Sequence, residues 1–102
     1  MRTITIGEII TDLDKTIPLS WQESYDNAGL LCGNKEEKCT GIYVCFDISE
    51  SVVEKAIANN CNLIVSHHPL VFRAMKRFTS KDNVTTTLLK AITNNIALYS
   101  SH

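Results

Sequence analysis

Two stretches of this chain repeat one another without a gap. Lys55-Ala56-Ile57-Ala58-Asn59-Asn60-Cys61-Asn62-Leu63-Ile64-Val65-Ser66-His67 runs parallel to Lys90-Ala91-Ile92-Thr93-Asn94-Asn95-Ile96-Ala97-Leu98-Tyr99-Ser100-Ser101-His102. Lys, Ala, Ile, both Asn, Leu, Ser and His coincide in order. Each copy reads as the end of a helix, an asparagine turn, an apolar strand and a Ser-His exit. Asparagine suits that turn because it tolerates the left-handed backbone that ends a helix. Strands joined through helices pair in parallel by right-handed crossovers. The echo therefore predicts successive units of one parallel sheet, with both strands finishing at the same edge and His67 and His102 facing one crevice. Convergent turn chemistry at two helix ends is the competing explanation.

The rest of the chain fits this plan. Apolar Ile6, Ile9, Ile10, Leu13 and Ile17 have helical spacing over Thr5 to Ile17, with one apolar face. Thr5 and Glu8 form a capping-box pattern, and Pro18 ends the element. Leu30-Leu31-Cys32 is a short strand candidate. The charged segment Gly33 to Lys38 reads as a solvated, hairpin-like connection to the strand Ile42-Tyr43-Val44-Cys45-Phe46, rich in β-branched and aromatic residues. A helix follows, with Ser49 as N-cap and Val52, Val53, Ala56 and Ile57 as its apolar face. Asn83 is the expected cap of a third helix bearing Val84, Leu88, Leu89 and Ile92. Its start is weakened by Thr85-Thr86-Thr87, since β-branched residues lose rotamer freedom in a helix. The expected fold is an α/β layered domain with a mostly parallel sheet and flanking helices.

Charge and cysteine usage narrow the function. Ten Lys and Arg against eleven Asp and Glu give a net charge of -1, which argues against a general nucleic-acid binder. No stretch has the length of a membrane span, and Met1 to Ile6 lacks a secretory signal's apolar core, so a cytoplasmic location is expected. None of Cys32, Cys39, Cys45 and Cys61 stands in a Cys-x-x-Cys pair. All four read as structural thiols, Cys45 and Cys61 as buried ones.

The chemistry concentrates in Leu63-Ile64-Val65-Ser66-His67-His68-Pro69. In open α/β sheets ligands bind beyond the carboxyl ends of the strands. Two adjacent imidazoles at such an exit suit a metal, and Pro69 stiffens the chain there. A polar strand exit without metal is the bland alternative. Asp47 also ends a strand; it can orient a histidine from behind or cap the next helix. Asp26 and Asn27 suit a turn beside Gly29. Arg73, Lys76, Arg77 and Lys81 form a basic loop that can bind a phosphate-bearing substrate or simply be solvated.

These motifs resemble a known family. Tyr25-Asp26-Asn27-Ala28-Gly29-Leu30 is similar to the Trp-Asp-Asn-x-Gly-Leu motif of the NGG-interacting-factor-like proteins, also known as type 2 GTP cyclohydrolase I. Phe46-Asp47 resembles their strand-ending Leu-Asp. Leu63 to Pro69 with Leu70-Val71-Phe72 resembles their Ile-x-x-His-His-Pro-Leu-x-Phe, and Ile96 to His102 resembles the approach to their His-Thr-Asn-Leu-Asp. Tyr25 replaces the family's tryptophan.

The resemblance implies that His67 and His68 are metal ligands in a dinuclear centre, with His102, Asp47, Asp26 and Asn27 as site-lining residues. It implies zinc, iron or manganese as cofactor, two ions per full-length subunit, and a hexameric toroid as the assembly. The family's aspartate ligand and its C-terminal His and Glu have no counterpart in residues 1–102. The expectation is that these residues are a single α/β domain, the N-terminal part of a longer protein, incomplete relative to the family's full fold. As such it would bind metal weakly or not at all and be inactive alone. The full-length function implied is metal-dependent hydrolysis of a nucleotide-like or phosphorylated substrate; a non-catalytic metal-binding scaffold is the alternative. No catalytic residue beyond the ligands is identified, and neither membrane nor nucleic acid is expected as a partner. Association through a strand edge left uncovered, with Ile96 to Tyr99 as candidate, is also expected.

Overall fold

Helix α1, Ile6–Thr16, begins where the sequence places a reciprocal cap. The structure is a computed structural model that describes residues 4–16, 29–68, 70, 79 and 82–100. The Glu8 N–H donates to Thr5 Oγ1 at 3.2 Å, and the Thr5 N–H donates to Glu8 Oε1 at 3.3 Å. Two further first-turn donors, which no helix can satisfy internally, reach the charged loop. Ile6 N–H donates to the Glu37 carbonyl and Gly7 N–H to the Lys35 carbonyl, both at 2.9 Å. That loop is therefore docked on α1, not merely solvated.

After α1 come strands β1 (Gly29–Cys32) and β2 (Ile42–Cys45), helix α2 (Glu50–Ala58), strand β3 (Leu63–Ser66), helix α3 (Asn83–Thr93) and strand β4 (Ala97–Ser100). The sheet order is β1-β4-β3-β2. Strands β2, β3 and β4 run parallel, and β1 is antiparallel to β4. The mixed α/β layered domain with a mostly parallel sheet is as expected. The hairpin-like connection is not: β1 and β2 lie at opposite edges, so the loop between them spans the sheet. The association edge also needs correction. Strand β4 sits between β1 and β3 and is buried along its whole length. The exposed strand is β2, where Ile42, Val44 and Phe46 just beyond it face solvent.

Register explains the two cores. Leu63 pairs with Ala97, Ile64 with Leu98, Val65 with Tyr99 and Ser66 with Ser100. Leu63, Ala97 and Tyr99 pack with Ile6 and Ile10 of α1. Ile64 and Leu98 pack with Val53, Ala56, Leu88 and Ala91 of α2 and α3. Both faces are covered, which is why β3 and β4 are near-continuously apolar in sequence.

The echoed turns are geometric twins. Asn60 and Asn95 have φ of 56° and 57°. The next N–H, of Cys61 or Ile96, donates to the Ala56 or Ala91 carbonyl at 2.8 Å. The strands then diverge by one residue. Asn62 stands between the first turn and β3, bonded through its side chain to Thr40 N–H and the Lys38 carbonyl; β4 starts directly after Ile96. Leu63 therefore lies opposite Ala97 rather than its sequence match Leu98, and the matched residues face opposite layers.

Helix starts are set by short polar side chains. Ser49 caps α2 as expected, accepting from Val52 N–H at 3.2 Å. Helix α3 is capped by Asp82, not by Asn83. Asp82 is extended (φ −134°, ψ 169°) and accepts from Thr85 N–H at 2.7 Å, whereas Asn83 is already helical. The threonine run is tolerated because Thr85 and Thr87 are buried and Thr87 Oγ1 donates to the Asn83 carbonyl at 2.6 Å.

Candidate metal centre

Strands β2 and β3 pair in parallel, Cys45 opposite Ser66, so they leave the sheet side by side. The ladder continues past both. His67 N–H donates to the Cys45 carbonyl at 3.1 Å, and His68 N–H donates to the Phe46 carbonyl at 2.9 Å. The carbonyls of the pair are held from below by two buried hydroxyls. Ser66 Oγ donates to the His68 carbonyl at 2.7 Å and also lies 3.4 Å from the Tyr99 carbonyl. Ser100 Oγ donates to the His67 carbonyl at 3.1 Å. All four backbone polar groups of the two histidines thus have protein partners. This fixes the point from which both imidazoles project, as a metal ligand pair requires. Sequence reasoning missed these serines as site residues. The echo contains a serine before each terminal histidine, but Ser66 and Ser100 become neighbours only through the one-residue stagger of β3 against β4.

His67 is exposed and His68 half-buried. Their ring centroids lie 4.6 Å apart, and His67 meets the edge of Phe46 at 5.8 Å with the planes at 83°. His68 Nδ1 lies 2.7 Å from Asp47 Oδ1. Asp47 thus bonds a histidine, and the helix cap falls to Ser49. An open cleft of about 320 Å³ adjoins His67, lined by Val44, Cys45, Phe46, Val65 and Ser66. Burial pushes the Cys45 thiol above its ordinary value, and the Asp47 carboxylate adds to the effect. Burial likewise raises Cys32 and Cys39, so these three are protonated, unreactive thiols at neutral pH. All four cysteines are free and half-buried; Cys45 and Cys61 are less enclosed than their apolar neighbours suggested.

Asp26, Asn27, His102 and the basic loop residues Arg73, Lys76, Arg77 and Lys81 lie outside the described residues. The exits of β3 and β4 are adjacent and share one edge, as the echo required of its two strands. Among the described residues, no group of three or more His, Cys, Asp or Glu side chains converges as a metal cage would require. The donor set therefore fits a metal in part. Two imidazoles on a fixed backbone can ligate, but catalytic zinc sites typically use three protein ligands and a water.

Known proteins resemble this chain in sequence and in fold. Residues 4–102 match the family described as Duf34/NIF3 (NGG1p interacting factor 3). A Clostridium acetobutylicum protein called GTP cyclohydrolase 1 type 2 homolog is 31% identical over 100 residues, covering 98% of this chain and 37% of that protein. A Staphylococcus epidermidis protein of the same name is 40% identical over 97 residues, covering 95% of this chain and 26% of its own. The crystal structure of a Staphylococcus aureus hypothetical protein superposes with a TM-score of 0.94 at 34% identity, over all of this chain and 29% of that one. The 102 residues thus span about a fifth to two-fifths of the relatives they match.

Proposed function

The chain belongs to the Duf34/NIF3 family, and on that premise we propose that it supplies the histidine part of a divalent-metal centre, with His67 and His68 as ligands. The observation that supports this best is the tandem pair itself, at adjoining carboxyl ends of parallel strands, with every backbone polar group of the pair hydrogen-bonded. These 102 residues act as a metal-binding module, the N-terminal part of a longer protein, rather than as a self-sufficient hydrolase. The donor count favours that reading. Zinc, iron and manganese are the candidate ions, since all accept imidazole.

In the whole protein the same histidines would serve a metal-dependent hydrolase acting on a nucleotide-like or phosphorylated substrate. A bound divalent ion would there lower the pKa of its water and supply hydroxide near neutral pH. The contribution of this chain is to hold and orient two nitrogen donors beside an apolar cleft. Asp26, Asn27 and His102 would line the site, and the protein would be cytoplasmic and homo-oligomeric, a hexameric toroid by family analogy. Among the described residues no helix is long and apolar enough to cross a membrane.

Calorimetric titration of the 102-residue chain with zinc, manganese and iron(II) tests this. The expected result is at most one loosely held ion, lost when His67 and His68 are both replaced by Ala. Binding that survives the double substitution would overturn the assignment of the ligands. Two tightly held ions per chain would overturn the donor count.

A further inference from the structure

We infer that Asp47 is the positioning residue of His68: it fixes the ring as the Nδ1–H tautomer and so makes Nε2 the nitrogen that ligates a cation. The inference rests on the metal reading above for its purpose, though not for its geometry.

Three observations converge on it. Asp47 lies two residues beyond the end of β2 and His68 two beyond the end of β3. The paired ladder, continued by His68 N–H to the Phe46 carbonyl, brings the two side chains to one place. Next, the contact is short, 2.7 Å between Nδ1 and Oδ1, in the range of charge-assisted hydrogen bonds. An ionised carboxylate only accepts, so Nδ1 carries the proton and the lone pair of the neutral ring is on Nε2. Finally, Asp47 has no capping duty that would explain it. Ser49 caps α2, at φ −135° and ψ 169°, taking Val52 N–H.

The physical consequence is pre-organisation. A half-exposed histidine otherwise samples several rotamers and both tautomers, and binding a cation must freeze one. A carboxylate on the far nitrogen removes that cost in advance. His67 has a different aromatic neighbour, Phe46, in a T-shaped contact.

Two readouts test the inference. Long-range proton–nitrogen NMR on the metal-free chain, at a pH where both rings are neutral, should show His68 protonated on Nδ1. In Asp47→Ala the population should move toward the Nε2–H form, while His67 is unchanged. Zinc titration should show affinity falling by about 10- to 100-fold in Asp47→Ala, the range for loss of such an outer partner. Adding Asp47→Ala to His68→Ala should cost nothing more. Asp47→Asn, which keeps the shape and an acceptor oxygen, should retain the tautomer and lose part of the affinity, which separates positioning from a folding defect. A wild-type His68 protonated on Nε2 would overturn the inference. So would zinc affinity that changes by less than about 3-fold in Asp47→Ala, well below what loss of such a partner costs. If the wild-type chain binds no zinc, as a set of two imidazoles allows, the tautomer measurement alone decides the role of Asp47.

Discussion

Replacing Ser66 by Ala should loosen the histidine pair more than any other single-atom change near it. Ser66 is 1% exposed, and its hydroxyl has one proton to give. The 2.7 Å contact to the His68 carbonyl takes it, with the Tyr99 carbonyl at 3.4 Å as the weaker acceptor. A buried hydrogen bond contributes about 1 kcal/mol net, and an acceptor left without a partner costs roughly 1–3 kcal/mol. His68 is half-buried, so water can reach part of its carbonyl and the penalty falls toward the low end. The expected loss is about 1–2 kcal/mol. In a domain of this size each kcal/mol moves Tm by roughly 4–8 °C. Ser100→Ala, with its 3.1 Å bond to the His67 carbonyl, should cost about 1 kcal/mol or less. Because Ser66 and Ser100 are register partners, the double variant should depart from the sum. Thermal and urea unfolding followed by circular dichroism measure the loss. Hydrogen exchange at the His67 and His68 amides reports whether the exit itself has opened. A Ser66→Ala chain within about 0.3 kcal/mol of wild type, with unaltered exchange at both amides, would refute the view that the hydroxyls hold the pair.

Tyr99 is 1% exposed and donates its hydroxyl to Asp14 Oδ1 at 2.7 Å; burial first, then the carboxylate, pushes its pKa well above the ordinary value. The folded chain therefore keeps a proton that the unfolded chain releases, so stability is full below the ordinary tyrosine range near ~10 and declines as pH rises above it. Tyr99→Phe should remove that part of the alkaline decline at a neutral-pH cost of about 1 kcal/mol; all three tyrosines ionising together in the folded chain, by phenolate absorbance, would contradict this. Gly33 has φ +117°, and a Cβ there would stand 2.4 Å from Ala97 Cβ, so Gly33→Ala should destabilise by more than about 2 kcal/mol in urea unfolding. Any concentration-dependent association should run through the exposed edge strand β2. Val44, 73% exposed, when changed to Lys should therefore weaken sedimentation-detected association without lowering Tm, whereas unchanged association would move the contact elsewhere.

The amino-acid sequence by itself determined the elements and their ends. The Thr5–Glu8 cap, the Ser49 cap and the twin asparagine turns at Asn60 and Asn95 involve residues within a few positions of one another, so their energetics are written locally. The family motifs and the His-His exit were legible for the same reason. Strand order was not. Ile42-Tyr43-Val44-Cys45-Phe46 and Ile96-Ala97-Leu98-Tyr99 are equally apolar, yet the first is an exposed edge and the second is the buried centre. Which strand is covered depends on where three helices and a fourth, antiparallel strand can pack at once, and no local window contains that sum. The same holds for the site. Asp47 and His68 are 21 residues apart, and Ser100 and His67 are 33 apart. Only the parallel registers, β2 with β3 for the first pair and β3 with β4, shifted by the single residue Asn62, for the second, bring them within hydrogen-bonding distance. The sequence thus determined which polar groups stand at the strand exits. Tertiary packing decided which of them touch, because those bonds form only after the chain has closed long loops to build the sheet.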